Sequence, residues 1–136
     1  MTAILDTSFL FALTDKSDRN HALVYNIAQN IQGDLLLPVV VLPEVCYLIG
    51  SRLGHQAMRS FLSQLASSAI QIESVTVNDI QRVNEILEQY ADSQLDFVDA
   101  CIVTIAERES INHILTLDRR DFSIIRPKHC QYFEIP

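Results

Sequence analysis

Gln94-Leu95-Asp96-Phe97-Val98-Asp99-Ala100-Cys101 sets two carboxylates three residues apart at the head of an apolar run that continues through Ile102, Val103, Ile105 and Ala106. Residues at that spacing share a helix face, and a helix apolar on all sides belongs in an interior. The stretch predicts a buried helix, ending near Ser110, with two acids in its first turn. Acids in that place either cap the helix or hold a metal ion. The rest of the chain bears on the choice.

Just downstream, Ile114-Leu115-Thr116-Leu117 reads as a buried strand leading into Asp118. The chain opens in the same way: Ala3-Ile4-Leu5 runs into Asp6, then Thr7-Ser8 and the apolar turn Phe9-Leu10-Phe11, a strand-to-helix junction. Leu35-Leu36-Leu37 is a further strand, Ala69 to Glu73 another with Ile70 and Ile72 inward, and Gln131 to Ile135 a fifth at an edge.

Helical periods fill the intervals. Ser17 or Asp18 caps a helix with Leu23, Ile27 and Ile31 on its core face, stopping at Gly33. Pro43 takes the first position of a helix running through Glu44, Val45, Leu48, Ile49 and Leu53 to Gly54. Met58, Phe61, Leu62 and Leu65 mark a fourth helix. Thr76 and Asp79 form a capping-box start for a fifth, with Ile80, Val83, Leu87 and Tyr90 on one face. Strands separated by helices predict the α/β class: an α/β/α sandwich around a central parallel sheet of four to five strands, with residues 1–136 as one domain.

Apolar residues make up 49% and charged residues 20% of the chain, a globular balance and not a disordered one. The longest apolar run, Leu35 to Pro43, falls well short of the roughly 20 residues of a membrane span. The N-terminus has no basic region followed by an apolar stretch, so neither a signal peptide nor a membrane is expected. Cys46, Cys101 and Cys130 lie far apart among apolar neighbours and read as small core residues in a reducing cytoplasm. His21, His55, His113 and His129 lack zinc-ligand spacing. There is no Gly-x-Ser-x-Gly and no glycine-rich phosphate loop. A net charge of −7 argues against nucleic-acid binding by bulk attraction. A nucleic-acid substrate bridged by cations remains open if the acids cluster on a metal.

In an open parallel sheet, ligands bind beyond the carboxyl ends of the strands. Asp6 and Asp118 stand at two such ends, Asp96 and Asp99 begin the helix before the second of these strands, and Glu44 lies in the first turn of another helix. If the first and fourth strands are neighbours, these acids converge. Two carboxylates about 4 Å apart repel by roughly 4 kcal/mol at an effective dielectric near 20. Protonation relieves that, and so does a hard divalent cation, which prefers oxygen ligands. With no histidine or cysteine beside the acids, Mg²⁺ or Mn²⁺ fits best. Taken singly, Asp6 and Asp96 also read as helix caps, Glu44 as a complement to a helix dipole, and Asp118 as a turn or ion-pair residue. Asp99, inside an apolar helix, needs a partner. Arg119, Arg120, Arg126 and Lys128 form the one basic cluster, either a solvated loop or a phosphate-contacting rim.

Leu-Asp-Thr-Ser-Phe-Leu at 5–10, Pro-Glu-Val at 43–45, Asp-Phe-Val-Asp-Ala at 96–100, Ala-Glu-Arg at 106–108 and Leu-Thr-Leu-Asp-Arg-Arg-Asp-Phe at 115–122 together resemble a PIN domain. The likeness is to the VapC toxins of bacterial toxin–antitoxin pairs, and it extends in order from Ala3 to Pro136. It implies a PIN-like α/β/α sandwich and an endoribonuclease that hydrolyses RNA phosphodiester bonds with Mg²⁺ or Mn²⁺. It also implies catalytic roles for Asp6, Glu44, Asp99 and Asp118, with Asp6, Asp99 and Asp118 on the metal. Ser8, Asp96, Thr116 and Asp121 would stand around them, and Arg119, Arg120 and Lys128 would contact RNA. A homodimer and a cognate antitoxin with a basic tail over the pocket follow from the same likeness. Two rival functions are a non-catalytic PIN-like binding module and a metal-dependent phosphatase. The module would show a gap in the acidic set. A phosphatase of the haloacid-dehalogenase type wants a second Asp two residues after the first, where Ser8 stands.

Overall fold

In the computed structural model, which describes Thr2 to Pro136, strand β1 (Thr2–Leu5) is paired on both sides, and Ala3, Ile4 and Leu5 are all buried. A strand covered on both faces carries an unbroken apolar run, as this one does. It runs parallel to β2 (Asp34–Pro38), with Ala3 opposite Leu35, and to β4 (His113–Leu115), with Leu5 opposite Leu115. Strand β3 (Gln71–Glu73) pairs in parallel with β2, so the order is β3-β2-β1-β4. The chain steps outward from β1 to β3 and then returns to lay β4 on the other side of β1. In sheets of this kind the reversal point, here the carboxyl ends of β1 and β4, is where a binding crevice is expected.

Helices α1 (Thr7–Thr14), α2 (His21–Asn30), α3 (Val41–Leu53) and α4 (His55–Ala66) form one group, with α1 against α2 and α3, and α3 against α4. Helices α5 (Val77–Gln89) and α6 (Phe97–Glu109) pack on each other, and a short α7 (Arg119–Ser123) follows β4. Every residue of α6 from Ala100 to Ala106 is buried, as its sequence predicts. Among the described residues no helix is long and apolar enough to cross a membrane.

Several boundaries differ from the sequence expectation, each for a local reason. Residues 131–135 make a single parallel bridge, His113 to Glu134, instead of a strand. Only Phe133 of that segment is buried, so just one point is anchored. Helix α2 starts at His21 with Asn20 before it, because the Asp18 carboxylate is used in a turn, accepting from Asn20 N at 2.7 Å. It ends at Asn30, short of Gly33, where Ile31 turns extended. Helix α3 begins at Val41, which makes Pro43 its third residue; the amide it lacks would be unpaired in that turn anyway. Gly54, with φ of 105°, ends α3 as expected. Leu62, Ile72 and Ile80 are half-exposed, since α4 buries no residue fully, β3 is an edge strand, and α5 buries Asp79, Val83 and Ile86 instead of Ile80.

Arg108, near the end of α6, ties three elements together. It donates to Asp79 Oδ1 at 3.0 Å and Oδ2 at 3.1 Å, to Glu73 Oε1 at 2.8 Å and to Ser74 O at 3.1 Å. Asp79 also closes the Thr76 capping box at the start of α5. Burial works to raise the Asp79 carboxyl, but the bonds from Arg108 and Thr76 outweigh it and hold it below the usual range. A depressed carboxyl contributes stability above its unfolded pKa of about 3.9 and loses it as pH falls through the folded value. Asp79→Asn is therefore expected to cost about 1–2 kcal/mol at pH 7 and much less at pH 2. Denaturant unfolding at the two pH values reads this directly, and equal losses at both would contradict it.

Candidate active site at the carboxyl ends of β1 and β4

Asp6 extends the central pairing by one residue, its N–H donating to Leu115 O at 3.0 Å. Its side chain is 2% exposed. Oδ1 accepts from Thr7 N at 2.8 Å, and Oδ2 from Thr116 Oγ1 at 2.7 Å. Asp6 is thus the N-cap of α1, but the cap uses one lone pair of one oxygen. One lone pair on each oxygen stays free for a cation. Beyond β4, Asp118 N donates to Thr116 Oγ1 at 3.0 Å, and Leu117 N to Ser8 Oγ at 2.9 Å. The Ser8 and Thr116 hydroxyls lie 3.2 Å apart.

At the head of α6, where the sequence left a cap or a metal ligand open, Asp96 and Asp99 form a capping box. Asp96 Oδ1 accepts from Asp99 N at 2.8 Å, while Asp99 Oδ2 faces Asp96 N at a long 3.5 Å. The first bond is strong and the second marginal. Cap and ligand are therefore compatible roles for this pair: Asp96 is committed to the helix, whereas Asp99 has little to give up.

The acids share one electrostatic neighbourhood. Burial pushes the Asp6 carboxyl up to about 6 against the hydrogen bonds from Thr116 and Thr7, and the charges of Asp118 and Glu44 add to the rise. Asp99 is raised well above the carboxylate range, first by burial and then by the charges of Asp96 and Asp6. Asp118 is raised by partial burial and by Asp121, Asp96 and Glu44. Six carboxylates from four parts of the chain thus feel one another. None of the ion pairs among the described residues involves Asp6, Glu44, Asp99 or Asp118.

This donor set suits a hard divalent cation: all oxygen, all carboxyl, partly desolvated and lacking a counter-charge. Among the described residues no three acidic, histidine or cysteine side chains stand ready-gathered around one point. Asp96 and Asp99 face each other across the cap, and Asp6 is held by its own two donors.

The basic residues are more dispersed than the acids. Arg119 begins α7 beside Asp118, but its guanidinium donates to Ile135 O at 3.1 Å and to Pro136 O. Arg120 is exposed. Arg126 is folded back on Ser123 O at 2.7 Å and on Ile125 O. Lys128 N donates to Glu107 Oε2 at 2.8 Å, eight residues along α6 from Asp99, about 12 Å by helical rise. It lines an open groove of about 450 Å³ with Arg82, Glu107 and Arg108. Sequence proximity to Asp118 put Lys128 with the acids; the chain between Phe122 and Lys128 carries it to the α5–α6 face instead. What the sequence reading missed was the bonding order among Ser8, Thr116 and the Leu117 and Asp118 amides. The available signal was a hydroxyl residue beside each strand-end aspartate.

Residues 3–126 match the family model described as PIN domain. The chain is 34% identical over 124 residues, 91% of its length and 92% of the relative's, to Ribonuclease VapC26 of Mycobacterium tuberculosis. Its fold superposes with a TM-score of 0.84 on the crystal structure of M. tuberculosis VapC20, described as a Sarcin-Ricin loop cleaving toxin, at 22% identity over 95% of this chain and 98% of that one. VapBC2 from Rickettsia felis, bound to a DNA fragment from its promoter, matches with a TM-score of 0.73 at 16% identity over 100% and 99%.

Proposed function

The chain belongs to the PIN-domain family, and on that premise we propose that it is a VapC-type endoribonuclease whose hydrolytic site is the acidic crevice at the ends of β1 and β4. The observation that carries this is that Asp6, Asp99 and Asp118 follow β1, head α6 and follow β4 on one side of the sheet, each raised by burial and by at least one neighbouring carboxylate, with no ion-pairing cation on any of them among the described residues. Asp6, Asp99 and Asp118 would hold Mg²⁺ or Mn²⁺, directly or through water. A bound divalent ion supplies an acidified water and a positive charge against the phosphate oxygens. The chain's own work is to fix these carboxylates and to manage a proton. Asp6 is locked by Thr7 and Thr116, and Glu44, in the first turn of α3, orients the attacking water and accepts its proton at a carboxylate oxygen.

The likeness to toxin–antitoxin complexes supports an antitoxin as partner. A basic antitoxin tail suits a chain of net charge −7 and a crevice lined by acids, and the working unit is a homodimer in the cytoplasm. The deciding assay incubates the purified chain with a labelled structured RNA and, separately, with a phosphomonoester, each with Mg²⁺, Mn²⁺ or EDTA. RNA should be cut internally with either metal and left whole in EDTA, and the monoester should be untouched. Monoester turnover without RNA cleavage would favour the phosphatase, and no turnover of either would favour a binding module.

A further inference from the structure

Each hydroxyl at the crevice has its hydrogen assigned by counting donors. A carboxylate only accepts, so the Thr116 hydrogen lies on the 2.7 Å bond to Asp6 Oδ2. Thr116 Oγ1 therefore accepts in its other contacts, from Asp118 N at 3.0 Å and from Ser8 Oγ at 3.2 Å. That makes Ser8 the donor to Thr116, and Ser8 Oγ in turn accepts from Leu117 N at 2.9 Å. Every hydrogen along the chain is used, and no other assignment satisfies all five groups while Asp6 is a carboxylate.

We propose that Ser8 and Thr116 form a directed hydroxyl relay, Ser8 to Thr116 to Asp6, that positions Asp6 and Asp118 relative to each other for a divalent cation. The relay crosses from the first turn of α1 to the end of β4, linking residues 108 positions apart. Through Thr116 it fixes the rotamer of Asp6; through the Leu117 and Asp118 amides it fixes the turn that presents Asp118. Neither hydroxyl needs to touch the ion. Both are positioning residues, and Ser8 acts through Thr116. Partners of this kind, one bond removed from a metal ligand, typically change metal affinity or activity 10- to 100-fold when lost.

The inference rests on the nuclease reading, and its test separates the two. Mn²⁺ affinity is followed by electron paramagnetic resonance of the free ion, beside kcat and KM for RNA and thermal unfolding in EDTA. Ser8→Ala and Thr116→Val are expected to weaken Mn²⁺ binding about 10-fold or more and to lower kcat with little change in KM. Ser8→Thr and Thr116→Ser, which keep the hydroxyls, should recover most of the affinity. Should Thr116→Val fail to fold, the Ser8 pair and Thr116→Ser still decide. If the wild-type chain binds Mn²⁺ and cuts RNA while Ser8→Ala does both equally well, the relay is wrong and the nuclease stands. A wild-type chain that does neither removes the nuclease reading and the relay with it.

Discussion

Asp99→Asn is expected to cripple RNA cleavage and, in EDTA, to leave a protein that is harder to unfold than the wild type. Two arguments about the same side chain lead there. The carboxylate at position 99 is raised by burial and by the charges of Asp96 and Asp6, so its ionised form is a standing cost in the metal-free fold. The carboxamide removes that charge, keeps the shape and still offers an oxygen to Asp96 N. A carboxyl whose folded pKa lies above its unfolded value destabilises the fold increasingly as pH rises past about 4. The gain from Asn should thus reach about 1–2 kcal/mol at pH 7 and vanish below about pH 4. Cleavage should meanwhile fall at least about 100-fold, the usual scale for losing one electrostatic partner of the transition state. A residue present only to cap α6 would behave otherwise, its loss costing about 1 kcal/mol without touching activity; Asp96→Ala should show that cap penalty. Wild-type cleavage by Asp99→Asn would remove the role assigned to it.

The site was legible in the sequence where local chemistry and topology coincide. Asp96 and Asp99 at a three-residue spacing can only face one way, and an apolar run from Ala100 to Ala106 can only be interior. Asp6 and Asp118 each follow a short apolar run, and a parallel sheet puts such positions at one end. What remained conditional was whether the first and fourth strands are neighbours, and the pairing of Leu5 with Leu115 supplies that. Edge and surface features were less readable, because exposure depends on what lies outside an element. Ile72 and Ile80 have the hydropathy of core residues, yet β3 is an edge strand, α5 buries Asp79, Val83 and Ile86 instead, and both are half-exposed. Tyr132 and Phe133 look like strand residues, but a one-residue bridge is enough to dock Phe133 against Phe122. Lys128 shows the limit of arguing from nearness in sequence, since a few irregular residues carried it to another face.

Saturating Mg²⁺ or Mn²⁺ should raise the thermal midpoint by about 10 °C, and EDTA should reverse the shift and stop cleavage together. A ligand that binds only the folded chain stabilises it by about 2.7 kcal/mol at a hundred times its Kd, and in a domain of this size each kcal/mol moves the midpoint by a few degrees. Asp6 would engage through its remaining lone pairs while keeping its bonds from Thr7 and Thr116, and Asp99 has only a 3.5 Å contact with Asp96 N to give up. Against that stands relief of the burial and neighbouring charge that raise Asp6, Asp99 and Asp118. Asp6→Asn and Asp99→Asn should each lose most of the metal-induced shift, whereas Asp79→Asn, at the start of α5 and bonded to Arg108 near the opposite end of α6 from Asp99, should keep it in full despite its lower starting midpoint. A midpoint that ignores both metals while RNA is still cut would mean that these carboxylates are not where the ion is held.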